Sequence, residues 1–465
     1  MTPCRFDESL PRFVEILDQE LGAEVVNAGV MLREASGRLS FYSATDVSEE
    51  QLQRVSERAK TALGEYVRPA RAIVPPRDSG LSKVLAEAET QSMLVLASLP
   101  AEPAVEGQVE PDAAAGSEPR YLRYLKRRIV GADWLPSVRA TSASPTATPR
   151  VAFTSLKGGV GRSTALAVVA AELARQGKNL LVIDLDLEAP GIGSLLLDDD
   201  RLPTFGVTDY LTERNLGKVD PALVGELVGT SALTRGQGLV HVVPAVGKAG
   251  RRSPANYLAK VSRAMQEAVE EDSGPLSLAD KVREMLEQVE SLRSYDLVLL
   301  DVRAGLAELA AGPLLALQAE TLIFATNQRQ TFEDLEYLLA YLSSITACMP
   351  SDAEGSPWRR LKMVHAKAAT AASVAPFSDK LWGLFYRYLY EQSEELEAFN
   401  FGPEDEDAPH WPLRVPLNPA FADFDPVHDR NKLVEEFYTE TFKQLIRYVE
   451  LLLLPEESGE RHGES

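Results

Sequence analysis

The sequence predicts a mostly parallel, doubly wound α/β sheet preceded by a small α+β domain. Three observations point there. From residue 150 onward, short apolar segments alternate with helical patterns, as strands covered on both faces do. The first of these strands runs straight into a glycine-rich loop and then a helix. Between residues 99 and 149 the composition shifts to Pro, Ala, Glu, Ser and Thr, which divides the chain into a front and a back part. A length of 465 residues suits two or three such parts.

Residues 1–98 read as the small α+β domain. Phe13, Ile16 and Leu21 have helical spacing over Phe6–Leu21. Residues 25–32 and 39–43 predict two strands around the turn Ala35-Ser36-Gly37, and Ser48 with Gln51 predicts a capping box opening a helix to about Gly64. Residues 99–149 read as a linker. Within it, 120–130 predicts a short basic helix, with Arg120, Arg123, Lys126, Arg127 and Arg128 beside Tyr121 and Tyr124, most simply docked on acidic surface of the same chain. Residues 137–149 form a Ser/Thr/Pro tether. The main domain, 150–454, is expected to hold strands at 151–154, 180–183, 239–243, 297–300, 322–325, 361–365 and 413–415, with a helical insert around 252–292. A last helix over 431–454 places Leu433, Phe437, Phe442, Leu445, Val449 and Leu452 on one stripe. Its Glu435, Glu436, Glu440 and Glu450 argue for closing the core rather than anchoring to a membrane. Residues 455–465 are polar and expected to be disordered.

Composition excludes several functions. The net charge is −21, and since residues 1–150 hold 18 basic and 21 acidic groups, −18 of it falls on the other 315 residues. Such a body repels polyphosphate, so nucleic acid is not an expected partner. No apolar stretch approaches the ~18 residues of a membrane span. The start, MTPCRFDESLPRF, has no apolar signal core, and the two cysteines, Cys4 and Cys348, fit a reducing cytoplasm. The histidines at 241, 365, 410, 428 and 462 are scattered without metal-ligand spacing.

The informative segment is Leu156-Lys157-Gly158-Gly159-Val160-Gly161-Arg162-Ser163-Thr164 after the strand at 151–154. Glycines let backbone N–H groups converge on an anion, and the following helix adds its positive end. That helix is apolar at Leu166, Val169 and Leu173, and Gly177 stands where a left-handed C-terminal cap belongs. The strict pattern G-x-x-x-x-G-K-[ST] fails at Leu156 and at Arg162.

The segment, opened by the extra Lys157, resembles the deviant form K-G-G-x-G-K-[ST] of the Walker A P-loop ATPases of the ParA/MinD type, with Arg162 at the second lysine, and within them the KGGVGR variant group. The resemblance extends over roughly 150–450. It implies a P-loop NTPase fold in which 158–164 (Gly158, Gly159, Val160, Gly161, Arg162, Ser163, Thr164) hold the phosphates. Leu181-Val182-Ile183-Asp184-Leu185-Asp186 would place Asp186 near the attacking water. Tyr295-Asp296-Leu297-Val298-Leu299-Leu300-Asp301 resembles a Walker B strand, so that Ser163 and Asp301 would hold Mg²⁺. Val415-Pro416-Leu417-Asn418-Pro419 resembles the family's last-strand motif near the base. His365-Ala366-Lys367-Ala368 lacks the Asp of a guanine site, which favours ATP. Lys157, Arg162 and Asp186 form the expected catalytic set, with Lys157 reaching the phosphates of a partner subunit. Arg162 in place of lysine is expected to preserve binding and to make turnover slow or partner-dependent. Arg303, after the Walker B strand, is read as a γ-phosphate sensor or a residue pairing across the dimer, or equally as a structural ion pair, and 328–331 as a solvated loop.

The expectation is therefore a cytoplasmic Mg-ATP-dependent dimerisation switch that regulates a protein partner encoded nearby, without membrane association. The alternatives are an ATP-sensing scaffold of negligible turnover in a multi-gene bacterial system such as phage defence, and a DNA-partition ATPase.

Overall fold

The computed structural model describes residues 4–76, 94–96, 120–127, 131–134, 148–233, 238–270, 274–346, 357–391 and 399–454. The expected segments 99–119, 137–147 and 455–465 lie outside the described residues. The chain divides into two compact units, residues 1–138 with 344–350, and the remainder.

The first unit is a five-stranded sheet with helices Phe6–Leu21 and Glu49–Leu63 against it. Its strands are β1 (Val30–Arg33), β2 (Leu39–Tyr42), β3 (Ile73–Val74), β4 (Leu94–Leu96) and β5 (Arg120–Lys126), in the order β3-β2-β1-β5-β4. The predicted capping box is present: Gln51 N–H donates to Ser48 Oγ (3.3 Å), and Ser48 N–H to Gln51 Oε1 (3.1 Å). Residues 23–28 are helical, so the first predicted strand is confined to β1.

One expectation is overturned. The basic run is a strand, parallel to β1 with Val30 opposite Arg123 and Leu32 opposite Leu125. Its residues alternate between faces: Leu122 and Tyr124 enter the core beneath the helices, and Leu125 packs with Val30 and Leu32 on the other side. Period-two burial of this kind is what strands offer and helices do not. The sheet thus reaches into the stretch read as linker, while Arg128–Val130 lie outside the described residues.

The second unit is built on an eight-stranded sheet. Its strands are β6 (Arg150–Ser155), β7 (Asn179–Leu185), β8 (Gly229–Thr230), β9 (Leu239–Val243), β12 (Leu297–Val302), β13 (Glu320–Ala325), β14 (Leu361–Ala368) and β15 (Leu413–Pro416). A small antiparallel pair, β10 (Ala268–Glu270) and β11 (Gly274–Leu276), stands apart within the insert expected to be helical. The order is β15-β14-β13-β6-β12-β7-β9-β8, all parallel except the β8–β9 edge. All seven strands expected of this domain are present. β6, β7 and β12 are buried on both faces, as their near-continuous apolar runs require. Helices Arg162–Arg175 and Glu435–Leu452 share the core on one face, through Leu166, Val169, Phe442, Leu445 and Val449. The last helix therefore closes the core. Among the described residues, no helix is long and apolar enough to cross a membrane.

β6 lies at the sheet's point of reversal. The chain leaves β6 toward β7 on one side, and the later step from β12 to β13 crosses to its other side. In open α/β sheets, ligands bind at the carboxyl ends of strands at such a point.

Candidate functional site

The glycine loop leaves β6 at that position. Gly159 and Gly161 have φ of +73° and +95°, a left-handed conformation that side chains resist. A Cβ built at Gly158, Gly159 or Gly161 meets nothing within 4 Å, so the loop faces open space and leaves its amides approachable. Gly161 is the N-cap of the helix Arg162–Arg175, and no side chain caps that terminus. The first-turn amides and the helix dipole thus present an anion-binding end. Ser155 steadies the loop: its Oγ donates to the Lys157 carbonyl (2.8 Å), and its own carbonyl accepts from Gly305 N–H (2.8 Å), tying the loop to the turn after β12. Gly177 ends the helix with φ +92°, as its position predicts.

Below the loop lies a group of carboxylates. Asp184 on β7 and Asp301 on β12 are direct cross-strand partners, and both are 1% exposed. Ser163 Oγ donates to Asp301 Oδ2 (2.7 Å), and Asp186 N–H to Asp184 Oδ1 (3.1 Å). The second oxygen of each, Asp184 Oδ2 and Asp301 Oδ1, is buried without a hydrogen-bond partner. Burial raises both pKa values. For Asp184 the nearby Asp301 adds to the rise. Asp301 is pushed up to about 6 by burial, with the Ser163 bond and Arg162 opposing and Asp186 adding. Two unpartnered buried carboxylate oxygens beside a serine hydroxyl are an uncommon arrangement in a folded interior. Their chemistry fits a hard divalent cation, which prefers oxygen ligands and keeps other positions for water or phosphate. Among the described residues, no group of three or more His, Cys, Asp or Glu is placed to hold a metal ion.

Arg162 is 9% exposed. Its guanidinium donates to the Val302 carbonyl at the end of β12 and lies 3.6 Å from Asp186 Oδ2. Asp186 Oδ1 accepts from Ala189 N–H (3.1 Å). Lys157 is at the exposed rim, donating to Gln328 Oε1 (2.6 Å). Arg303 pairs with Glu188, and Arg329 with Glu333 inside the helix Arg329–Ile345. Asn418 is engaged locally, accepting from Ala420 N–H (3.0 Å) and donating to Thr441 (2.9 Å). The structure thus gathers Lys157, Gly158, Gly159, Gly161, Arg162, Ser163, Asp186 and Asp301 at one end of the sheet. Sequence reasoning did not assign roles to Asp184, the Val302 carbonyl or Glu188. A cavity of about 330 Å³ adjoins Asp184 on the β9 side, between Pro190–Ser194 and the segment from Pro244 to Tyr257.

Residues 151–295 match a nucleotide-binding family. It is described as the CobQ/CobB/MinD/ParA nucleotide binding domain, and the match takes in the loop, Asp184 and Asp186 but stops short of β12. Among solved structures, the chain is similar to a ParA family ATPase from Chlorobium tepidum TLS at 14% identity and TM-score 0.39, over 65% of this chain and 98% of that one. Aquifex aeolicus MinD cell division protein is similar at 18% and 0.39, over 66% and 99%. Pyrococcus furiosus cell division ATPase MinD is similar at 18% and 0.39, over 66% and 100%. No curated protein matches. The matched domain, the sheet topology and the loop agree on a nucleotide-binding P-loop architecture.

Proposed function

We propose that this protein binds Mg-ATP at 157–164 and hydrolyses it slowly, as a cytoplasmic dimerisation switch that regulates a protein partner. One observation carries the reading: the open glycine cradle lies directly over Ser163 and two buried carboxylates whose second oxygens lack partners. Amides of 158–164 would hold the β- and γ-phosphates. Ser163 and Asp301 would hold Mg²⁺, with Asp184 behind them. When bound, the ion would neutralise phosphate charge. Asp186 would orient the water. That water bonds to the γ-phosphorus as the bond to the β–γ bridging oxygen breaks, the oxygen keeping the electron pair on ADP. The proton that water gives up leaves on inorganic phosphate. Lys157, half-buried at the rim, would exchange Gln328 for the phosphates of a second subunit. The bulk negative charge disfavours the DNA-partition alternative.

The test is titration with a fluorescent ATP analogue, with and without Mg²⁺, alongside light scattering of Asp186→Ala. Saturable Mg-dependent binding and a dimer at saturating ATP are expected. Absence of binding removes the whole reading, and a monomer at saturating ATP removes the switch.

A further inference from the structure

We infer that Arg162 is a positioning residue for Asp186 rather than the loop's phosphate-gripping cation. This rests on the reading above and specifies how the site is regulated from within. The Arg162 guanidinium is committed in two directions, to the Val302 carbonyl on β12 and to Asp186 Oδ2 beyond the end of β7. Both members of the ion pair are nearly buried, at 9% and 7% exposed. Turning Arg162 toward the cradle would forfeit its bond to the Val302 carbonyl and leave Asp186 without its cation, among Asp184 and Asp301, which already have orphaned oxygens. Asp186 would then be held by the Ala189 N–H alone. A guanidinium can span two acceptors because its donors are fixed in a planar fork, whereas an ammonium is a point charge on a flexible stem. Arginine at this position therefore suits a strut between two strand ends. The cation left facing solvent at the loop is Lys157, whose contact is the neutral Gln328.

The experiment measures the dissociation constant of the ATP analogue and single-turnover hydrolysis for wild type, Arg162→Lys, Asp186→Ala and the double variant Arg162→Ala/Asp186→Ala. Circular dichroism melts confirm that each is folded. The strut predicts that Arg162→Lys lowers the single-turnover rate about 10²-fold while affinity stays within about threefold. The double variant removes a charge pair without changing net charge. It should bind ATP within about threefold of wild type and hydrolyse no more slowly than Asp186→Ala alone, because the two residues act as one unit. An Arg162→Lys rate equal to or above wild type, or a loss of affinity of about tenfold or more in the double variant, would show a phosphate clamp and overturn the proposal. If wild type binds but turns over below detection, the affinity of the double variant decides. Failure of wild type to bind Mg-ATP would instead count against the proposed function itself.

Discussion

Two of the buried arginines, Arg33 in one unit and Arg162 in the other, have opposite surroundings. Arg33, 7% exposed in the N-terminal sheet, donates to the Tyr124 hydroxyl (2.7 Å), Ser9 Oγ (3.1 Å) and the Gly37 carbonyl (3.2 Å), with its guanidinium 4.2 Å from the Phe6 ring centre. These acceptors are neutral and the arrangement is closed. Arg162 lies among three carboxylates, two of which have an unpartnered buried oxygen. Burial alone therefore does not mark function. A local surplus of negative charge, retained at a cost to stability, does.

The largest expected effect tests that surplus. Asp301→Ala should lower Mg-dependent ATP hydrolysis by about 10²–10³-fold, because it removes the carboxylate proposed to hold the Mg²⁺ that neutralises the transferring phosphates. The same variant should melt no lower than wild type, since a desolvated, half-satisfied carboxylate is gone; a clear fall in Tm would show that the carboxylates are structural. In the other unit, Arg33→Met should destabilise by about 2–4 kcal/mol, because three acceptors lose their donor. Denaturant melts should show it, with ATP affinity unchanged. Equal losses of single-turnover rate in the Arg33 and Arg162 variants would erase the contrast.

Next comes the loop. Gly161→Ala should cost about 1–2 kcal/mol, since φ of +95° is strained for any side chain. Gly158→Ala, with no positive φ and open space around it, should stay within about 0.5 kcal/mol in thermal melts.

The last test concerns another buried cation. Lys362 on β14 donates to the carbonyls of Glu406 and Ala408 (2.9 Å each), beside Asp405, Asp407, Glu320 and the Tyr448 ring. Burial brings its pKa down to about 8 from 10.5, with the acids opposing. The native state then binds fewer protons than the unfolded chain between those values. Its contribution to stability is present above pH 10.5 and lost as pH falls through about 8. Chemical denaturation from pH 8 to 9.5 should show stability rising by on the order of 1–2 kcal/mol, a slope that Lys362→Met flattens.

Much of this was legible in the sequence, for local reasons. Glycines at 159 and 161 announce backbone that other residues resist, and the strands at 151–154 and 297–300 are continuous apolar runs bounded by polar turns. The basic run at 120–126 was not legible. Tyr121, Leu122 and Leu125 fit a helical stripe, while Leu122 and Tyr124 fit a strand face, and only pairing with β1 decides. The same limit hid Asp184. Its carboxylate is unremarkable until β12 places Asp301 opposite it, more than a hundred residues along the chain. Arg162 gave a visible departure from the motif, but its acceptor at Val302 is equally remote in sequence.

The ion pair between Arg303 and Glu188 has a mechanical consequence. It is a tie-rod between the turn after β12 and the turn after β7. Glu188 is two residues before Pro190 and three before Gly191, which wall the 330 Å³ cavity. The turn after β12 also carries Gly305, whose N–H bonds to the Ser155 carbonyl, so one short segment touches both the base of the loop and the stretch that leads to the cavity wall.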